Sequence, residues 1–248
     1  MDLKEFFNLH SKAAVAFSGG VDSAYLLYAA REAKADVRAY YVKSAFQPQF
    51  EYEDAIRFAA ELCIDMEVIR LDVLEDACVR ENPRDRCYYC KRKIFQAILS
   101  SAKRDGYSVL LDGTNASDMA ADRPGMRALS ELSVLSPLRQ CGLTKERIRM
   151  LSRQAGLFTW DKPAYACLAT RIPAGEEITP VKLQNIEDAE ACLFSLGFTD
   201  FRVRTAAGEA RLQLREEQFD LLYAHRAEIL DRLKKVYKTV SLDLEVRG

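Results

Sequence analysis

The string Ser18-Gly-Gly-Val-Asp-Ser23 constrains this chain more than any other. A short apolar run, Ala13 to Phe17, leads into it. Apolar residues at helical spacing, Val21 to Lys34, lead out of it. That order predicts a buried strand, a glycine turn and a helix. The glycines let the backbone turn sharply and approach a ligand closely. The free N–H groups and the positive end of the helix then favour an anion of the phosphate type. Ser18, Gly19, Gly20, Val21, Asp22 and Ser23 are therefore candidate binding residues, with the two hydroxyls as extra donors. Asp22 repels a phosphate and suits a Mg²⁺ ion that bridges phosphates, or a role in fixing the loop. The string is neither a Walker A loop nor a GxGxxG fingerprint. A plain capped βα turn is the alternative reading, and the full six-residue string between strand and helix argues against it.

The pattern around the loop repeats. Strands are expected at 37–42, 67–71 and 107–111, and helices at 2–11, 52–62, 94–102 and 144–154, the last capped by Thr144 and stopped by Gly156. Alternating strands and helices imply βαβ units and a mostly parallel α/β sheet with helices on both faces. The segment 158–179 holds Pro163, Pro173 and Gly175 and reads as a loop. A smaller α+β unit follows. Thr179 caps a helix ending near Gly197, a hairpin spans 201–214 around Ala207-Gly208, a long amphipathic helix is expected at 216–236, and a last strand at 239–246. The domains are set at 1–165 and 166–248.

The chain has 248 residues, 49% of them apolar and 29% charged, which fits a globular protein and excludes a disordered one. Lysine and arginine number 36 against 37 acids, and this balance argues against general nucleic-acid binding. No apolar run suits a bilayer span, and the opening MDLKEFFNLHSK lacks a signal-peptide core, so a cytoplasmic protein without membrane partners is expected. Seven cysteines, an odd number, argue against a disulfide framework. Cys63, Cys78 and Cys192 read as small core residues. Cys87 and Cys90 form a CxxC flanked by Arg86 and Lys91, a setting that favours thiolate. Structural, redox and partial zinc roles stay open for that pair.

SGGVDS is the signature string of the PP-loop ATP pyrophosphatases, which split ATP between its α and β phosphates, and this chain resembles that group. Asp112-Gly-Thr-Asn-Ala-Ser-Asp118, Arg123-Pro-Gly-Met-Arg127, Ser136-Pro-Leu138 and Lys162-Pro-Ala-Tyr-Ala-Cys-Leu-Ala-Thr-Arg-Ile-Pro173 extend the match across nearly the whole sequence. With them the chain resembles the LarE family, ATP-dependent sulfur transferases of nickel-pincer nucleotide cofactor synthesis.

The resemblance implies a PP-loop domain, ATP and Mg²⁺ as cosubstrates, and a nucleotide-like small molecule as substrate. It also implies a homo-oligomer. A carboxylate of a pyridinium biscarboxylate mononucleotide would be adenylated, and sulfur would then displace AMP. Cys167 and Asp22 are the implied catalytic residues. Gly113, Thr114 and Asn115 join the loop in binding ATP. Lys91, Asp118, Arg123, Arg171, Arg202 and Arg204 are the expected substrate contacts. In sacrificial members the Cys167 position donates its own sulfur. Other members are proposed to hold a [4Fe-4S] cluster on three cysteines, here Cys87, Cys90 and Cys167. The CxxC is expected just before a helix, and the Cys167 loop is expected to fold toward the phosphate loop. Two features depart from the family pattern. Gln213 stands where an acid is usual, and the chain ends in Glu245-Val-Arg-Gly248. A tRNA thiolase and a nucleotide-sensing module are the rival readings.

Overall fold

The computed structural model describes residues 1–118 and 124–246. Chain order is α1 Leu3–Leu9, β1 Lys12–Ala16, α2 Val21–Glu32, β2 Asp36–Lys43, α3 Gln49–Glu61, β3 Met66–Arg70, α4 Ala77–Arg80, α5 Arg86–Arg104 and β4 Leu110–Leu111. Then come α6 Pro124–Glu131, α7 Pro137–Gln140, α8 Lys145–Gln154, α9 Pro180–Ser195, β5 Arg202–Ala206, β6 Glu209–Gln213, α10 Phe219–Ala224, α11 Arg226–Leu233 and β7 Thr239–Leu242. The chain divides into two compact units, Met1–Val73 with Asp85–Lys162, and Leu74–Arg84 with Pro163–Gly248.

The first unit is a parallel α/β sheet of order β3-β2-β1-β4. Successive residues of β1 face opposite sides, as strand geometry requires. Ala13 and Val15 enter one core with Phe6, Leu26, Leu27, Phe58 and Ile148. Ala14 enters the other core with Tyr40, Phe95, Ile98 and Leu129. Helices therefore cover both faces, and a sheet buried on both sides reads as short apolar runs rather than as alternation. β1 lies between β2 and β4, so the chain runs outward in opposite directions on its two sides. The carboxyl ends of β1 and β4 are thus the topological switch point, where open α/β sheets bind ligands.

The second unit is α+β. Its sheet has order β5-β6-β7, with β5 and β6 antiparallel and β6 and β7 parallel. One apolar cluster holds it, with Leu193, Phe198, Phe201, Val203, Leu212, Ile229 and Leu233 at its centre. The strip 74–84 joins this unit by backbone bonds from Ile178 N to Arg80 O and from Gly175 N to Asn82 O, both 2.8 Å. Asn82 Nδ2 also donates to Pro173 O at 2.7 Å.

The Thr144 and Thr179 caps form as expected, each hydroxyl accepting from the N–H three residues on. Other expectations need correction. The helix read over 94–102 runs from Arg86 to Arg104, so the CxxC lies in its first turns and not before it. Cationic residues hid those turns, although Arg86, Tyr88 and Cys90 are buried. The helix read over 216–236 breaks at His225 into α10 and α11. α10 buries no residue fully, while α11 buries Ile229 and Leu233. Helical spacing without burial does not hold a helix together in water. The fourth strand shrinks to Leu110–Leu111 and the last to Thr239–Leu242. The loop 158–179 contains 3₁₀ turns at Phe158–Asp161 and Leu168–Arg171. Cys192 is buried, but Cys63 and Cys78 are exposed. Cys63 follows the end of α3 in a left-handed conformation, φ 52°, which carries it off the helix face that its spacing suggested.

Candidate active site

The first unit gathers its candidate residues at the switch point. Gly19 adopts φ +77°, the left-handed turn that swings the chain from β1 into α2. Ser18 and Ser23 hydroxyls share a hydrogen bond at 3.0 Å, and Ser23 Oγ donates to Gly20 O at 3.1 Å. The loop is thus pinned by its own hydroxyls, with Val21 opening the helix. Gly113, just after β4, lies so close that an added Cβ would stand 2.9 Å from Ser23 N. The two strand ends therefore touch here through backbone, which only glycine permits.

Asp112 underpins this contact. It is buried and accepts hydroxyl bonds from Thr114 and from Ser136, the latter at 2.6 Å. Asn115 is buried, its N–H donates to Asp118 Oδ2 at 3.0 Å, and its Oδ1 accepts from Ser117 N at 2.8 Å. Asp118 thereby closes the turn, and its carbonyl accepts from Arg139. Arg123 lies outside the described residues, as do Arg247 and Gly248 of the altered ending.

Two lysines that sequence reasoning gave no role stand at the loop. Lys145 Nζ lies 2.6 Å from Asp22 Oδ2. Asp22 Oδ1 is buried and has no hydrogen-bond partner among the described residues. Lys162 Nζ lies 2.6 Å from Asp54, 3.2 Å from Glu51 and 3.4 Å from the Gly19 carbonyl. Arg149 fixes the backbone at Lys162 by donating to its carbonyl and to that of Trp160, both at 2.7 Å. Burial raises the Glu51 carboxyl above its ordinary value, and Lys162 opposes the shift. The signal for Lys145 was its position: a cation opening a helix just after the Thr144 cap.

Cys87 and Cys90 also belong to the first unit. Cys87 is exposed, with Arg86 Nη2 3.6 Å from its sulfur, and Cys90 is buried one turn on. Tyr88 is stacked by Arg127 and donates to Glu131. The stem of Lys91 packs on Gly125. These are two thiols, short of the three that a cluster would use. Among the described residues no three His, Cys, Asp or Glu side chains stand together as a metal-binding group.

In the second unit Cys167 is half-buried and precedes the 3₁₀ turn Leu168–Arg171. Arg171 and Glu190 are each only 1% exposed. They pair through two bonds, Nε at 2.9 Å and Nη2 at 3.1 Å. Arg171 Nη1 donates to the carbonyls of Ala166 at 2.6 Å and Cys167 at 3.3 Å, which sets the chain around the thiol. Glu190 also accepts from Tyr165 OH and from Val203 N. It thus fastens the Cys167 loop and β5 to α9, and sequence reasoning missed it. Arg202 and Arg204 share one face of β5, opposite the buried Val203. Arg204 Nε donates to Gln213 at 3.1 Å, and Nη1 donates to Thr170 O at 3.2 Å. Arg171, Arg204 and Arg211 line a pocket of about 250 Å³. Arg204 and Arg211 bring positive charge to this cavity and Glu209 brings an acid, while the Arg171 guanidinium is held by Glu190.

No family model matches the chain. It is 34% identical to an uncharacterized protein of Synechocystis sp., over 98% of this chain and 92% of that protein. It is 30% identical to the pyridinium-3,5-bisthiocarboxylic acid mononucleotide synthase of Lactiplantibacillus plantarum, over 94% of this chain and 86% of the relative. A shorter match, 28% identity over 59% of this chain and 37% of the relative, is to the tRNA(Ile)-lysidine synthase of Pseudomonas putida. No helix among the described residues is long and apolar enough to cross a membrane.

Proposed function

The chain belongs to the LarE family of PP-loop, ATP-dependent sulfur transferases, and on that premise we propose that it adenylates a carboxylate of a pyridinium biscarboxylate mononucleotide and replaces AMP with sulfur. The observation that carries this reading is the meeting of the Ser18–Ser23 loop with Gly113 at the switch point, beside the incompletely partnered Asp22 carboxylate. A substrate carboxylate oxygen attacks the α-phosphorus of ATP, the bond to the bridging oxygen breaks, and pyrophosphate leaves. The loop N–H groups and the Ser18 and Ser23 hydroxyls bind the departing phosphates. Asp22 Oδ1, with no hydrogen-bond partner among the described residues, would hold the Mg²⁺ that accompanies ATP. Thr114 and Asn115 keep the β4 end of the crevice in shape.

The acyl adenylate is then open to a thiolate. Cys167 sulfur attacks the acyl carbon and AMP departs. Loss of the Cys167 α-proton breaks the Cβ–S bond, leaving dehydroalanine on the chain and a thiocarboxylate on the product. The pocket of the second unit supports Arg204 as a contact for the substrate's phosphate or carboxylates, and Arg202, on the same face of β5, and Arg171 are retained as further contacts. Lys91, Asp118 and Arg123 are retained as further substrate contacts.

The test combines turnover with mass measurement. Pyrophosphate release that needs the pyridinium substrate and is abolished by Asp22→Ala supports adenylation, and unchanged release in that variant defeats it. A loss of about 34 Da at Cys167, one H₂S, marks the cysteine as the sulfur donor. The [4Fe-4S] alternative on Cys87, Cys90 and Cys167 is separated by anaerobic iron and sulfide analysis. Stoichiometric iron that vanishes in Cys87→Ala and Cys90→Ala would move the sulfur source to a cluster.

A further inference from the structure

The phosphate loop contains two hydroxyls and one carboxylate but no cation. Adenylation nevertheless builds negative charge on a leaving pyrophosphate, and such charge calls for a fixed positive partner. Two lysines reach the loop from elsewhere in the first unit, and their surroundings differ. Lys162 is held between Glu51 and Asp54 and is only 13% exposed on its side chain. Both of its carboxylates come from α3 and belong to the fold, so its charge is cancelled where it stands. Lys145 is matched by Asp22, the carboxylate that a metal would claim, and a third of its side chain is open to solvent.

The position of Lys145 is also unfavourable for a helix. It is the first residue of α8, where the positive end of the dipole disfavours a cation by about 0.3–1 kcal/mol. Its N–H is bound by Ser117 Oγ at 3.0 Å, which ties the start of α8 to the turn after β4. The start of α8 is therefore fixed, and only the side chain has freedom to move. Asp22, on the first turn of α2, gives one oxygen to Lys145 and keeps the other buried without a partner among the described residues. An ammonium on one oxygen and no partner among the described residues on the other is an arrangement that a second cation would complete.

We infer that Lys145 is the polyphosphate-binding cation of this loop. When MgATP binds, the Asp22 carboxylate turns to the metal, and the Lys145 ammonium turns to an oxygen of the β- or γ-phosphate. It stays protonated throughout and stabilises the charge that pyrophosphate carries off. The inference rests on the adenylation reading above, and its test can be read without turnover.

Lys145→Met removes the charge and keeps the stem, and Lys145→Arg keeps the charge. Affinities for MgATP and for AMP are measured by calorimetry for both variants and the parent. Lys145→Met is expected to weaken MgATP binding about tenfold or more and to slow pyrophosphate release about 10²–10³-fold, the scale of losing one preorganised charge donor. AMP binding should hold, because AMP lacks the phosphates that Lys145 meets. Lys145→Arg should recover most of the ATP affinity. Unchanged MgATP affinity in Lys145→Met, or an equal loss for ATP and AMP, would overturn the role. Lys145→Met also leaves Asp22 unpaired, so Asp22→Asn is compared with Asp22→Asn/Lys145→Met. The double variant should bind ATP more weakly still. If the two bind alike, Lys145 acts only through Asp22 and the inference fails. A parent protein that binds ATP better than AMP yet releases no pyrophosphate with any pyridinium carboxylate would remove the adenylation reading and leave the Lys145 comparison intact.

Discussion

The two units put their candidate chemistry on different parts of the chain. In the first, the crevice is made of backbone: a left-handed Gly19, a helix start at Val21, and Gly113 pressed against Ser23 N. In the second, it is made of side chains that meet across long sequence separations, with Glu190 of α9 gripping Arg171, Tyr165 and the N–H of Val203. A backbone site tolerates little added volume. A side-chain site is fixed by charge pairing and tolerates little loss of charge.

The largest effect should come from the second unit. Glu190→Ala would strand the Arg171 guanidinium in a buried place, at a cost of about 3–5 kcal/mol. Chemical denaturation reads this, and a loss under 1 kcal/mol would show that side-chain pairing does not hold the unit. Glu190→Gln keeps the shape and should cost less.

Gly113→Ala should come next. The added methyl meets the backbone of Ser23, which cannot swing aside, so a cost of about 1–3 kcal/mol is expected. ATP affinity should fall with it. Full stability and full affinity together would break the claim that this crevice is made of backbone.

A smaller effect depends on pH. Burial raises the Glu51 carboxyl and Lys162 restrains the shift. A carboxylate raised on folding contributes stability below its unfolded value and loses it as pH rises through the folded value. Lys162→Met removes the restraint, so the variant should lose more stability than the parent as pH rises above the ordinary carboxylate range. Parallel profiles would mean that Lys162 does not govern Glu51. The smallest effects are the caps. Thr144→Ala and Thr179→Ala, one in each unit, should each cost about 1 kcal/mol by thermal unfolding. Caps are local in both units, and unequal costs would show that the units differ in more than their sites.

What sequence reveals follows the same division. The phosphate loop, the Thr144 and Thr179 caps and the hairpin turn are local features with strong chemical signatures, and each forms where the pattern places it. The start of α5 was hidden because charged residues interrupt the apolar spacing that marks a helix, although Arg86 and Cys90 turn inward. The break at His225 was hidden for the opposite reason, since apolar spacing persists there without burial to sustain it. Glu190 looked like one more acid on an amphipathic helix. Its partner lies nineteen residues earlier in a loop, and no local pattern connects them. Lys145 was readable only as an oddity, a cation where a helix prefers an acid.

The strip 74–84 has a consequence for how the protein is made. The chain leaves the first unit after Val73, returns at Asp85, and leaves again after Lys162. Each unit is therefore assembled from two stretches of chain. During synthesis Arg80 and Asn82 emerge long before Gly175, Pro173 and Ile178, the residues that complete their hydrogen bonds. The ribosome thus releases a strip whose own unit does not yet exist, while the sheet on either side of it is free to close. A gene cut after residue 162 would yield no intact second unit, because its first strand of contacts would travel with the other half. Splitting this protein for expression or for complementation calls for moving the 74–84 strip into the second half, and a simple truncation will not do it.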